Sequence, residues 1–222
     1  MLFRSIAVKP IELGDSSELA ERQQVLVATH GGYKSATAAV VVSRRTFAGY
    51  WEYLLENAIF TSPPISEFGG AALFGGDGRL MGIGSLFVGD AYRGGDRNLP
   101  GNMFVPIDRL KPILDEMVKH GRPQSPPKPW LGLTSEEHRG RVFIVRVAPD
   151  SPAAKTGLRP GDLVVSVAGQ PVEGLESFYR RIFSVGPAGS KISLKILKGQ
   201  DFVDITVPSA DRYSYIKNGP TY

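Results

Sequence analysis

The chain contains no cysteine among its 222 residues. That excludes a disulfide framework, a thiolate metal site and a cysteine nucleophile, and leaves the compartment open. Histidine is scarce, with three residues scattered at His30, His120 and His138. No ligand cluster or Walker-type phosphate loop is present, so no metal or cofactor is expected. No apolar run approaches the roughly 20 residues of a membrane span. The first ten residues lack the apolar core of a signal peptide. Lys and Arg form no run, and no nucleic-acid motif occurs, which argues against nucleic-acid binding. What the chain has in excess is Gly (26) and Pro (17), favouring tight turns and short strands over long helices. A hydrophobic fraction of 42% is enough to build a core. The net charge of +4 is uneven: residues 1–122 carry 13 basic and 13 acidic side chains, and residues 123–222 carry 13 and 9. The bland reading of that excess is a solvated surface; the other is weak attraction for an anion such as a peptide C-terminus.

Four prolines within 122–129 mark a stiff, extended linker. The division reads as a domain over 1–122, a linker at 123–128, a domain over 129–208 and a mobile tail at 209–222. In the first domain, apolar β-branched runs at 25–29 and 36–43 flank a turn at Gly31 and Gly32. Runs at 71–74 and 80–86 flank the hairpin signal Gly75 to Gly78, and 103–106 is a short strand. Residues 90–99 read as an exposed loop. Residues 107–120 read as an amphipathic helix, with Leu110, Ile113, Leu114, Met117 and Val118 on one face and Gly121 as its cap. The second domain reads as strands at 142–147, 163–167, 191–197 and 202–207, a short helix at 151–156 and an amphipathic helix at 175–185. The expected class is mainly β with a few helices.

Ser151, Pro152 and Ala153 follow the strand at 142–147. Next come Gly157, Leu158, Pro160, Gly161 and Asp162, then a strand, then Gly169, Pro171 and Val172. This order resembles the central segment of a PDZ domain, and the likeness extends over about 130–208. The resemblance implies an extended peptide added as a strand between a strand edge and a helix. The peptide carboxylate would sit in a loop of backbone N–H groups, matched here by Trp130, Leu131, Gly132 and Leu133. The alternative is that 129–133 is merely a buried first strand. Helical spacing with the resemblance puts Leu175, Tyr179 and Ile182 toward the peptide and Phe178 toward the core, although Leu175 and Ile182 also suit a core. An apolar wall implies a ligand with an apolar last residue. His138 reads as a surface residue.

The first half resembles the second barrel of HtrA/Deg-type, trypsin-fold serine proteases. Leu13, Gly14, Ser16 and Leu19 match their entry motif. Ser66 to Gly70 and Leu73 fall at the nucleophile segment, with Ala71 where the family has proline, and Asp77, Gly78, Gly82 and Ile83 match the turn and strand after it. Phe104, Pro106 and Ile107 match the exit. The position of the nucleophilic serine holds Phe68, whose ring has no oxygen to attack with. Ser66 and Glu67 replace the glycine and asparagine before it, with Gly69 and Gly70 retained, so the oxyanion pocket is altered. The family's first barrel, with its His and Asp, has no match in this chain. The resemblance thus implies a trypsin-like second barrel, degenerate at its nucleophile, followed by a PDZ domain. It also implies an extracytoplasmic, periplasmic setting.

The expected function is non-catalytic capture of peptide or protein C-termini by a protease-like, regulatory or quality-control protein. The competing readings are the C-terminal part of an HtrA-like endopeptidase, and an assembly module that pairs with itself or a partner chain through the half-barrel.

Overall fold

The computed structural model describes residues 9–30, 35–94 and 97–215. Two units emerge: Met1–Arg45 with Glu56–Pro123, and Thr46–Leu55 with Gln124–Tyr222. The expected turn at Gly31 and Gly32, the start at 1–8, Gly95 and the end of the tail at 216–222 lie outside the described residues.

The first unit is built on β1 (Gln24–Ala28), β2 (Ala36–Gly49), β3 (Tyr53–Ser62), β4 (Ala72–Phe74), β5 (Leu80–Gly94) and β6 (Arg97–Pro106). They close into a barrel in the order β1-β2-β3-β6-β5-β4, while the end of β2, the start of β3 and the turn between them, Thr46–Leu55, belong to the second unit. Alternation along β1 turns Val25 and Val27 inward, where they meet Val41, Ile59, Leu73, Met81 and Phe104. Ser16 Oγ donates to Asp108 Oδ2 at 2.6 Å and ties the entry segment to the exit turn. Gly84 is required by close approach: a Cβ there would fall 2.1 Å from the Phe68 carbonyl oxygen.

Two expectations in this unit are corrected. The helix expected over 107–120 is broken into 3₁₀ turns at Ile107–Arg109 and Lys111–Ile113, followed by α1 (Leu114–His120). Pro112 supplies the reason, because it has no N–H for a helical ladder and disfavours helical Lys111. The expected apolar stripe does not bury: Val118 is 77% exposed. Gly121 does end α1, at φ 71°, donating its N–H to Met117 O at 2.9 Å. The segment expected as a loop at 90–99 is mostly paired strand, with Tyr92 opposite Leu99 and Arg93 opposite Asn98 after a bulge. Polar contacts hold it. Arg45 donates to the carbonyls of Asp90 and Ala91 at 2.7 and 2.8 Å, and Arg93 Nε donates to Asp90 Oδ2 at 2.7 Å.

The second unit contains β7 (Leu133–His138), β8 (Arg141–Val147), β9 (Leu163–Val167), β10 (Gln170–Pro171), α2 (Leu175–Val185), β11 (Lys191–Lys198) and β12 (Asp201–Pro208). The sheet order is β12-β11-β9-β8-β7, so β7 is an edge strand. Ile144, Val164, Val167, Ile192, Leu194 and Ile196 form its core with Phe178, Tyr179 and Ile182 of α2. The turn before β9 is set by Gly157 (φ 76°) and Gly161 (φ 94°). Asp162 accepts from Arg159 N at 2.9 Å and pairs with Lys198 at 2.8 Å. The short helix expected at 151–156 shrinks to a 3₁₀ turn, Ala154–Thr156, with Ser151 Oγ accepting from Ala154 N at 3.2 Å.

The tail expected to be mobile begins as ordered structure. Trp130 and Ala210 exchange two backbone hydrogen bonds, at 3.0 and 2.9 Å, and a 3₁₀ turn runs over Arg212–Tyr215. The Tyr215 ring lies 4.5 Å from that of Trp130. Two large aromatic surfaces that leave water together account for the order. At the other end of the unit, Ala188 N donates to Pro127 O at 2.9 Å, and Lys128 Nζ lies 4.8 Å from the Phe183 ring centroid.

Candidate peptide-binding site

The 130–133 loop leads into edge strand β7 opposite α2. Gly132 makes it possible. Its φ is +87°, and a Cβ there would lie 2.2 Å from Ser151 Cβ. The outward carbonyls are anchored, with Ala153 N donating to Leu131 O at 2.9 Å and Ala148 N to Gly132 O at 2.8 Å. That leaves the loop's N–H groups turned together in the manner of an anion nest.

A carboxyl group fills this nest. Leu131 N donates to Glu52 Oε2 at 2.8 Å and Leu133 N to Glu52 Oε1 at 2.5 Å. Gly132 N–H also favours the charged form of Glu52. Two residues further along β7, Ser135 N donates to the carbonyl of Tyr50 at 2.8 Å. Glu52 N in turn donates to the Tyr179 hydroxyl at 3.3 Å. Glu52 is 9% exposed, and burial pushes its carboxyl group up to about 7 against the pull of those N–H groups and of Arg212. Burial likewise raises the Tyr179 hydroxyl, which therefore stays protonated.

The residues singled out in the sequence fall as follows. Leu131, Gly132 and Leu133 form the loop and are buried, whereas Trp130 is half-buried and pairs with Ala210. On α2, Leu175 is partly buried and its N–H donates to Glu137 Oε2 at 2.9 Å. Phe178, Tyr179 and Ile182 are all 0% exposed, and Ala48 and Leu54 pack against the cluster that holds them. Ile182 is thus a closed core position here, and a charge placed on it would strike the fold itself. Sequence reasoning missed Glu52 and the 46–55 tip. Its one local signal is a carboxylate within the aromatic run Tyr50, Trp51, Tyr53, where the rings of Trp51 and Tyr53 stack at 5.6 Å.

At the protease-like position, Phe68 is half-buried and Ser66, Glu67, Gly69 and Gly70 are exposed. Asn102, 1% exposed, holds the approach to this segment. Its Oδ1 accepts from Ile65 N at 2.7 Å, and its Nδ2 donates to Ile65 O at 3.2 Å. Glu67 pairs with His30 Nδ1 at 3.2 Å, but both are open to water at 57% and 89% exposure, so the pair is screened. Phe68 supplies no nucleophile for either. Among the described residues no group of three or more His, Asp or Glu is placed to hold a metal ion.

Residues 143–198 match the model of the PDZ domain. The "Probable periplasmic serine endoprotease DegP-like" of Halomonas elongata is 27% identical over 217 residues, covering 90% of this chain and 44% of that protein. "Periplasmic serine endoprotease DegP" of Salmonella typhimurium is 29% identical over 200 residues, covering 85% and 41%. The chain therefore spans less than half the length of these curated relatives. Among solved structures, the HtrA-type protease AlgW with decapeptide superposes with a TM-score of 0.57 at 22% identity, covering 91% of this chain and 64% of that one. The serine endoprotease from Yersinia pestis superposes with a TM-score of 0.53 at 18% identity, covering 90% and 66%. The chain carries a PDZ domain, is homologous to DegP/HtrA serine proteases and shares the trypsin-like fold of HtrA-type structures. No helix among the described residues is long and apolar enough to cross a membrane.

Proposed function

We propose that this chain is a non-catalytic, protease-like peptide receptor that captures the C-termini of peptides or proteins ending in an apolar residue. The ligand would add as a strand to β7, with its carboxylate in the 130–133 nest and its last side chain against Leu131, Leu133 and α2. The observation that carries this reading is the convergence of the Leu131 and Leu133 N–H groups on a carboxyl group. The absence of a serine at Phe68 favours binding over hydrolysis. The periplasmic relatives support an extracytoplasmic setting.

The test is fluorescence anisotropy of the full chain against a library of apolar-ended peptides, each as free acid and amide. Charge-assisted hydrogen bonds contribute roughly 1.5–3 kcal/mol each, so amidation should weaken binding by about 10- to 100-fold. Equal affinity for the two forms would refute carboxylate capture. A fluorophosphonate probe should leave the chain unlabelled; stoichiometric labelling at any serine would restore the endopeptidase reading. Assembly through the barrel is a second reading, favoured by Phe87, Tyr92 and Leu99, which are 53%, 43% and 45% exposed on β5 and β6. Light scattering on the eluting species would show a dimer if it holds.

A further inference from the structure

We infer that the 46–55 hairpin tip is an internal ligand of the peptide groove, with Glu52 standing in for a C-terminal carboxylate, so that an external peptide binds only by displacing it. This rests on the peptide-capture reading above and adds its regulation.

The tip reproduces three separate features of an added strand. The first is the acceptor in the nest, the Glu52 carboxyl group on Leu131 N and Leu133 N. The second is pairing with the free edge of β7. Ser135 and Leu133 are two residues apart and so present their N–H groups on one side. They meet Tyr50 O and the Glu52 carboxyl group respectively, which are also two residues apart and run the opposite way. One backbone bond and one side-chain bond thus follow the sense of an antiparallel strand. The third is apolar packing of the tip, since Ala48 and Leu54 pack against the core cluster to which Tyr179 and Ile182 belong. The Tyr179 hydroxyl, on the face of α2 expected to meet a ligand, accepts from Glu52 N. Glu52 reaches this position through a left-handed backbone, φ 58°, which a residue with a side chain adopts at some cost.

One set of N–H groups cannot hold two carboxyl groups, so tip and peptide exclude each other. An external ligand then sees only the fraction of molecules whose tip is undocked, and its apparent affinity is reduced by that fraction. Thr46 adds a further contact, its Oγ1 accepting from Arg180 at 3.4 Å. This bond is long and exposed and can break without leaving a buried orphan.

The experiment compares the full chain with Glu52→Ala and Glu52→Gln. Amide exchange at Leu131, Leu133 and Ser135, read by NMR, reports docking without any peptide. Exchange should be slow in the parent and at least about tenfold faster in Glu52→Ala, with Glu52→Gln between them. Unchanged exchange would overturn the docked tip. Anisotropy with free-acid, apolar-ended peptides should show binding about 10- to 100-fold tighter to Glu52→Ala. Equal or weaker binding by the variant would overturn competition while leaving the peptide-capture reading standing. Faster exchange with no peptide bound by either chain would overturn both. Glu52→Gln preserves side-chain size and one acceptor oxygen, so it separates loss of the charge and of the second acceptor from loss of packing. Unaltered circular dichroism in both variants excludes unfolding as the cause of faster exchange.

Discussion

If Glu52 holds the groove closed, closure depends on pH in a direction fixed by burial. The docked carboxyl group is raised to about 7 from its ordinary value of 4.5, chiefly by desolvation, with the loop N–H groups and Arg212 opposing. A raised carboxyl pKa means the docked state holds its proton more tightly than the free tip. Docking is therefore strongest below 4.5 and weakens as pH rises through 7. The other groups around Glu52 are Lys128, Asp211 and Tyr213, which line the same pocket, and Tyr179 behind it. The full shift corresponds to about 3 kcal/mol. Between pH 5.5 and 8 the linkage relation leaves about 2 kcal/mol, or roughly a 30-fold change in tip docking. The assay is anisotropy with one free-acid peptide on the parent chain and on Glu52→Ala across that range. The ratio of the two affinities cancels the titration of the peptide, which both chains share. The variant's advantage should be largest at pH 5.5 and shrink toward pH 8. A ratio that is flat, or that grows with pH, would refute the assignment of closure to a desolvated Glu52.

Three further outcomes test the frame around the site. Gly132→Ala should cost about 2–4 kcal/mol of stability, from a left-handed φ and a Cβ 2.2 Å from Ser151 Cβ, and should weaken peptide binding; a denaturation midpoint within error of the parent would count against that geometry. Asn102→Leu removes both bonds to Ile65 and orphans that backbone, so denaturant melts should show a loss of about 2–3 kcal/mol. A synthetic, end-capped 46–55 peptide added to Glu52→Ala should bind no tighter than the millimolar range set by typical tethering, about 1 mM; nanomolar binding would mean that the tip needs no tether.

Much of the second unit is legible because its signals are local. Gly157 and Gly161 occupy the positive φ that their place in the turn requires, and Asp162 caps that turn from three residues away. The inward residues of β11, Ile192, Leu194 and Ile196, alternate with Lys191, Ser193 and Lys195 in the sequence itself. The first unit hides more. The β5–β6 hairpin extends through a polar stretch whose order comes from Arg45, more than 40 residues earlier in the chain. The exit helix looked continuous because apolar periodicity outweighed Pro112, and the chain resolved that conflict in favour of proline. The occupant of the nest could not be read at all. Glu52 is separated from Leu131 and Leu133 by 79 and 81 residues. No periodicity or turn chemistry reports a contact of that kind.

A tethered ligand can afford poor chemistry, because it loses little translational and rotational freedom on docking. The tip shows this. Its carboxyl group is carried on a side chain, and its backbone continues past Glu52 into Tyr53, so no terminal residue combines carboxylate and apolar side chain at one Cα. A free C-terminus combines them. It can satisfy Leu131 N and Leu133 N and also place its own side chain beside α2, at the cost of immobilising itself. The advantage of the free peptide thus lies in the terminal apolar group, which the tip lacks by construction. A peptide with a carboxylate and a small or polar last residue gains nothing over Glu52 and leaves the groove closed. The internal ligand thereby sharpens selection for apolar termini beyond what the pocket alone would impose, by setting a threshold that only the better-matched ligand passes.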